Sequence, residues 1–291
     1  MDNKQQARNF FPRGLYQPPG SFRFSADALL LSAFFTPVLQ ELDAKSVHSP
    51  APRLLDIGTG CGVVALSLLR HSDRLTATGV DVRPELVSAA LRNAENLGFS
   101  SRFSALHIDI SRTDTTAGIP EASIHAQEAS CDVAEDSISS RLEAIPRHSF
   151  TLTLANPPYR KENQGRKPAT DARTTALVEK EAGLEDFCRA AAWALKPKGR
   201  FGLVFPAPRL PDLIQALSEA GFGLRRLLPL HSREEEKAKL VLVEAWMGCS
   251  HDMAVEPPLV LYEGRGENTR LSDAALVFCP DLGVNPRGRH G

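Results

Sequence analysis

From residue 53 onward, short apolar runs alternate with longer stretches whose apolar residues recur every three or four positions. Arg53-Leu54-Leu55-Asp56-Ile57-Gly58, Thr76-Ala77-Thr78-Gly79-Val80-Asp81-Val82 and Ser104-Ala105-Leu106-His107-Ile108-Asp109 read as buried strands. The intervening stretches read as helices, one from Val63 to Arg70 and one opened by Pro84 at its first turn and closed by Gly98. Strands separated by helices predict right-handed βαβ units and a parallel sheet. Phe150 to Leu154 is a fourth strand, followed by a helix over Leu184 to Leu195, a strand over Gly199 to Phe205 and a helix over Arg209 to Ala220. Leu224 to His231 and Lys239 to Trp246 then follow each other with no helix between them, which predicts an antiparallel edge strand closing the sheet. Pro257 to Tyr262 reads as an extra edge strand. Ahead of the alternating block, Ser25 caps a helix that runs through the Ala/Leu-rich stretch to Phe35, with Asp27 at its positive start.

The pattern fails in three places, which set the domain organisation. Residues 1–20 are punctuated by Pro12, Gly14, Pro18, Pro19 and Gly20 and read as an irregular arm. Residues 21–264 form a single domain, interrupted at 111–149 by an acidic, Ser/Thr-rich segment too poor in apolar residues to offset its ordering entropy; it reads as a flexible insertion with a short helix near Ser139 to Ile145. Residues 265–291 are a C-terminal extension with a basic tail that includes Arg287 and Arg289.

Composition narrows the field by exclusion. The 291 residues are 42% hydrophobic and 24% charged, ordinary for a globular protein, and no run approaches the roughly 20 apolar residues that cross a bilayer. A net charge of -1 gives no global pull on nucleic acid, so any such partner needs a local basic patch. The five cysteines are scattered without a CxxC pair, which points away from disulfides and metal sites and toward a reducing cytoplasm. The polar start does not resemble a secretory signal.

Chemistry gathers at the strand ends. Asp56-Ile57-Gly58-Thr59-Gly60-Cys61-Gly62 closes the first strand and opens a helix, and its glycines let backbone turn sharply and approach a ligand. A preceding acid would repel a pyrophosphate but suits an ammonium or sulfonium group. Asp81 ends the second strand where a carboxylate can bond ribose hydroxyls, and Asp109 ends the third where it can accept from an adenine amine. The fourth strand ends in Asn156-Pro157-Pro158-Tyr159. A carboxamide oxygen and a fixed backbone carbonyl are two acceptors for a planar amine, and Tyr159 is a face for a ring to stack on. Each piece alone is a common turn or cap; four in strand order are a signal.

In that order they resemble the class I S-adenosylmethionine-dependent methyltransferases that act on amino groups of adenine, cytosine or glutamine amide. Phe22-Arg23-Phe24-Ser25-Ala26-Asp27-Ala28-Leu29-Leu30-Leu31, His231-Ser232-Arg233, Ala238 through Ala245 and Pro257-Pro258-Leu259 are similar to the bacterial tRNA(Val) adenine-N6 methyltransferase family. The resemblance implies a Rossmann-like fold: a seven-stranded, mostly parallel sheet with helices on both faces. It implies S-adenosylmethionine held by Asp56, Gly58, Thr59, Gly60, Gly62, Asp81, Val82, Asp109, Ile110 and Asn156, and an amine held by Asn156, Pro157, Pro158 and Tyr159. RNA, through a tRNA anticodon loop, is the implied partner of a monomer acting without metal or membrane. Arg160, Lys161, Arg166, Lys167 and Arg173 follow the motif as candidate phosphate contacts, with Arg225 and Arg226 on a later strand. Two other readings compete. A protein-glutamine methyltransferase uses the same tetrapeptide but usually carries a helical domain in front, for which residues 1–50 are too short. A non-catalytic RNA-binding relative would have no need of the acids, glycines and Asn156 together.

Overall fold

The computed structural model describes residues 3–21, 23–44, 50–111, 140–157, 182–250 and 252–284. Most of the acidic insertion (112–139), Pro158, Tyr159, Arg160, Lys161, Arg166, Lys167, Arg173 and the tail arginines Arg287 and Arg289 lie outside the described residues.

Helices α1 (Asn3–Asn9) and α2 (Ala26–Ala44) precede the alternating block β1 (Arg53–Ile57), α3 (Val63–Leu69), β2 (Thr76–Asp81), α4 (Pro84–Leu97) and β3 (Phe103–Asp109). A short β4 (Ser140–Arg141), β5 (Phe150–Ala155), α5 (Leu184–Ala194), β6 (Leu195–Pro206), α6 (Leu210–Glu219), β7 (Phe222–His231) and β8 (Leu240–Met247) complete the main body. Short pieces follow: β9 (Ala254–Val255), β10 (Leu259–Val260), β11 (Tyr262–Glu263), β12 (Arg270–Leu271), α7 (Asp273–Phe278) and α8 (Asp281–Val284).

Seven long strands form the sheet in the order β7-β8-β6-β5-β1-β2-β3, with β4 outside β3 and the short β9 and β10 beside β7. All neighbours are parallel except β8, which runs antiparallel to both β6 and β7. The antiparallel strand therefore lies inside the sheet and not at its edge as expected from the sequence. The reason is burial. Val241 through Ala245 are buried without interruption, as in a strand covered on both faces, whereas β7 shows half-exposed Arg225, Arg226 and Pro229 and takes the outer place.

Two apolar layers sandwich this sheet. On one face, α2, α3 and α4 pack over Leu54, Leu152, Leu154, Val204 and Leu242. On the other, α5 and α6 pack over Leu55, Ile57, Leu203, Phe205 and Val243. With helices on both faces, β1 is buried from Leu54 to Ile57.

Four further expectations change. The arm read as irregular carries α1, and Phe11 is buried in the first apolar layer with the Arg70 guanidinium 4.5 Å over its ring. Helix α2 runs through Pro37 to Ala44, although a mid-helix proline costs about 3 kcal/mol, because Val38 and Leu39 beyond it are core residues. The last part of the stretch read as an insertion packs on the body: Leu142 and Ile145 sit in the second apolar layer, and Trp193 Nε1 donates to the Ile145 carbonyl at 2.8 Å. The segment after 264 also joins the body. Ala275, Cys279 and Leu282 enter the first layer, and Asp281 pairs with Arg70 at 2.7 Å.

Candidate active site

The parallel register sets the site. Ile57 lies level with Val80 on one side and with Ala155 on the other, and Asp81 lies level with His107. Gly58, Asp81 and Asn156 thus leave the sheet in one row, on adjacent strands about 4.8 Å apart. This row is the carboxyl edge of the central strands, where open α/β sheets take their ligands.

The loop after β1 is built by its backbone. Gly58, Gly60 and Gly62 have φ of 70°, 57° and 86°, values a side chain makes costly. Gly58 and Thr59 both donate their N–H to the Val80 carbonyl, at 2.8 and 2.9 Å, which folds the loop over the end of β2. A side chain at Gly60 would meet nothing within 4 Å, so the loop presents an open surface there. Gly58 is exposed, with the Phe187 ring of α5 beneath it.

The acids hold this loop from two sides. Asp81 Oδ2 accepts from the Gly60 N–H at 2.9 Å and Oδ1 from the Arg83 N–H at 3.0 Å. Burial raises its pKa against the pull of those two donors. Each carboxylate oxygen retains a second lone pair for a hydroxyl. Asp56 is 1% exposed, one layer behind the loop surface, and accepts from the Thr59 hydroxyl at 2.8 Å and the Ala65 N–H. Burial pushes its pKa up to about 6, those two donors opposing the rise. Asp56 therefore lies behind the loop and shapes it through Thr59, and not at its surface as the sequence suggested. Cys61 is buried in the same loop, and burial pushes its thiol to about 12, so it is inert packing.

Beyond Asp81, Val82 is 46% exposed, an apolar surface beside the loop, and its carbonyl contacts His107 Nε2 at 2.8 Å. Asp109 Oδ1 accepts from the Ser111 N–H and hydroxyl at 2.9 and 2.6 Å, fixing the turn after β3. Ile110 is buried, and Arg189 of α5 donates to its carbonyl at 3.0 Å. Asn156 is half-buried and Pro157 buried at the end of β5.

Arg225 and Arg226 do not join this row. Arg226 donates to the Phe34 carbonyl of α2 at 2.9 Å and pairs with Glu244 at 3.3 Å, while Arg225 pairs with Asp252 at 3.3 Å. Arg226, with Arg200 reaching Glu41 at 2.8 Å, ties α2 to the sheet, and Arg225 stacks on Trp246, so both arginines lie in a cluster away from the strand-end row.

Sequence reasoning missed three supporting residues. Gly79 of β2 lies so close to the loop that a methyl there would meet Thr59 Oγ1 at 2.7 Å. Phe187 supports Gly58 from α5. Asn93 is a buried amide whose Nδ2 donates to the Cys61 carbonyl at 2.9 Å. Of these only Asn93 left a trace, a polar residue on the apolar stripe of α4.

No family model matches the chain. A tRNA1(Val) (adenine(37)-N6)-methyltransferase of Dyadobacter fermentans is 24% identical over 217 residues, 74% of this chain and 77% of the relative. A protein of the same name from Porphyromonas gingivalis is 30% identical over 225 residues, 77% of this chain and 74% of its own length. Among solved structures, a predicted O-methyltransferase of Agrobacterium tumefaciens superposes with a TM-score of 0.59 at 19% identity, over 88% of this chain and 96% of that one. Its likeness confirms the Rossmann-like methyltransferase fold. With the glycine loop, the strand-end acids and Asn156 on one edge of that fold, and with relatives of this similarity along three-quarters of its length, the chain belongs to the tRNA1(Val) (adenine(37)-N6)-methyltransferase family.

Proposed function

We propose that this chain transfers the methyl group of S-adenosylmethionine to the exocyclic N6 amine of an adenine in tRNA. The observation that carries the reading is the row formed by Gly58, Asp81 and Asn156: an acceptor for an amine stands beside a loop open to a ligand.

The residues present fit the cofactor. The loop at Gly58 and Gly60 admits an amino-acid moiety against backbone, with Asp56 and Asp81 supplying negative potential for its cationic groups. Asp81 accepts from ribose hydroxyls, and Val82, Asp109 and Ile110 form the adenine end. Bound there, the cofactor supplies a methyl carbon on a positively charged sulfur.

Asn156 Oδ1 accepts from one N–H of the target amine and the Pro157 carbonyl from the other. An exocyclic adenine nitrogen is a weak nucleophile because its lone pair is delocalised into the ring. Two acceptors in the plane of its hydrogens aim that lone pair and draw density onto the nitrogen, so positioning supplies much of the rate. The base must be out of its stack to reach Asn156, which a single-stranded anticodon loop permits at lower cost than a duplex. Tyr159 provides the stacking face, and Arg160, Lys161, Arg166 and Lys167 the phosphate contacts.

Calorimetric titration of the protein with S-adenosylmethionine tests the cofactor half of this reading. The wild type binds, and Asp81→Ala binds at least about tenfold more weakly, as expected when a charged hydrogen-bonding group is removed. A wild-type titration without heat at several temperatures removes the cofactor from the reading.

A further inference from the structure

Asn93 is 1% exposed on α4, on the stripe that otherwise holds Ala89, Ala90, Ala94 and Leu97. A primary amide in that position is costly unless its hydrogen bonds are met. They are met from two segments remote in sequence. Nδ2 donates to the carbonyl of Cys61 and to the carbonyl of Tyr16, each at 2.9 Å, and Oδ1 accepts from the Tyr16 N–H at 2.7 Å. Cys61 lies between Gly60, whose N–H is held by Asp81, and Gly62, whose φ of 86° starts α3. One side chain thus grips the loop after β1 and the N-terminal segment together.

That segment is fastened along α4 at other points. Arg8 Nε donates to the Leu97 carbonyl at 2.7 Å, and the Arg92 guanidinium lies 4.2 Å above the Tyr16 ring. Its return is closed by Gln17 Oε1, which accepts from the Phe24 N–H at 3.0 Å.

We propose that Asn93 is a positioning residue of the methyl-transfer site, which makes the segment Arg8–Gln17 part of the cofactor site. This rests on the assignment of Asp56–Gly62 as the cofactor loop. The peptide between Cys61 and Gly62 sits in a turn with positive φ at Gly60 and Gly62, and it is held at both ends: its N–H donates to the Thr59 carbonyl at 2.9 Å and its carbonyl accepts from Asn93. Asn93 is the hold that comes from outside the loop. The same amide needs the Tyr16 backbone on its other side to be oriented. Docking of the segment therefore favours the loop geometry that receives the ligand. A coupling of this kind is reciprocal, so ligand binding must favour docking by the same factor.

The test uses the full-length protein, S-adenosylmethionine calorimetry and limited trypsin digestion followed at the exposed Arg13. Saturating ligand slows the cut after Arg13 several-fold in the wild type. Asn93→Ala binds the ligand at least about tenfold more weakly, and its cut after Arg13 responds less to ligand. Asn93→Asp keeps the acceptor for Tyr16 but turns an oxygen toward two carbonyls, and it binds no better than the alanine variant. Leu217→Ala, a cavity in α6 on the opposite face, lowers the melting temperature while keeping wild-type affinity, which separates positioning from general destabilisation. Wild-type affinity in both Asn93 variants, or an Arg13 cut indifferent to bound ligand in the wild type, overturns the proposal and leaves the cofactor assignment standing. A wild type that does not bind the ligand overturns both.

Discussion

Asp56 illustrates what a single residue contributes when its charge is costly to keep. Its carboxyl is raised from 3.8 to about 6 by burial, so the folded protein holds a proton there that the unfolded chain has released. The sign follows: stability from this group falls as pH rises from about 4 to about 6 and stays low above, a penalty on the order of 3 kcal/mol. Asp56→Asn removes the penalty. The unfolding free energy of the variant should gain on that of the wild type by this amount between pH 4 and pH 7 in parallel urea titrations, while its S-adenosylmethionine affinity falls. A difference that stays flat with pH contradicts the assignment. Asp56, Asp81, Asp109 and Asn156 were legible in the sequence because each follows an apolar run at a strand end. The depth of Asp56 was not, since burial there is set by how Thr59 and the start of α3 close over it.

At the scale of elements, the loop after β1 is as much a product of β2 and α4 as of its own glycines. Gly79 shows it: a Cβ at that position meets Thr59 at 2.7 to 2.9 Å, and Thr59 in turn bonds Asp56. Gly79→Ala should therefore lower stability by about 1–3 kcal/mol, as overpacking does. It should also weaken S-adenosylmethionine binding by displacing Thr59, both measured on the purified variant; unchanged affinity would show that the loop tolerates the shift. The glycine pattern announced the sharp turn itself, and its order with the strand-end acids and Asn156 marked it as more than a turn. Its supports Gly79, Asn93 and Phe187 lie on other elements, and of them only Asn93 leaves a local mark, as a polar residue on the apolar stripe of α4. The placement of β8 was readable in principle. Its uninterrupted run Leu240-Val241-Leu242-Val243 is that of a covered strand, but hairpin connectivity alone allows either order of β7 and β8. Helix α2 went past its apparent stop because local proline chemistry is weaker than the burial of Val38 and Leu39.

For the whole molecule, two apolar layers cover both faces of the main sheet, so that among the described residues its strand ends stay open at the carboxyl edge, and the N- and C-terminal segments both pack back onto the α2–α4 layer. Among the described residues no helix is long and apolar enough to cross a membrane. The sequence's net charge of -1 means that attraction to RNA is local, so it weakens steeply with salt. The methyl transfer to adenine N6 in tRNA that we propose rests on Asn156 beside the glycine loop. Its most direct measurement is nucleoside mass spectrometry of tRNA from a strain lacking the protein, after incubation with S-adenosylmethionine and either the wild type or Asn156→Ala. The wild type should yield N6-methyladenosine, and the variant, which still binds the cofactor, at least about 100-fold less. Unmethylated tRNA beside methylated glutamine in a parallel protein pool, or equal product from the variant, contradicts it.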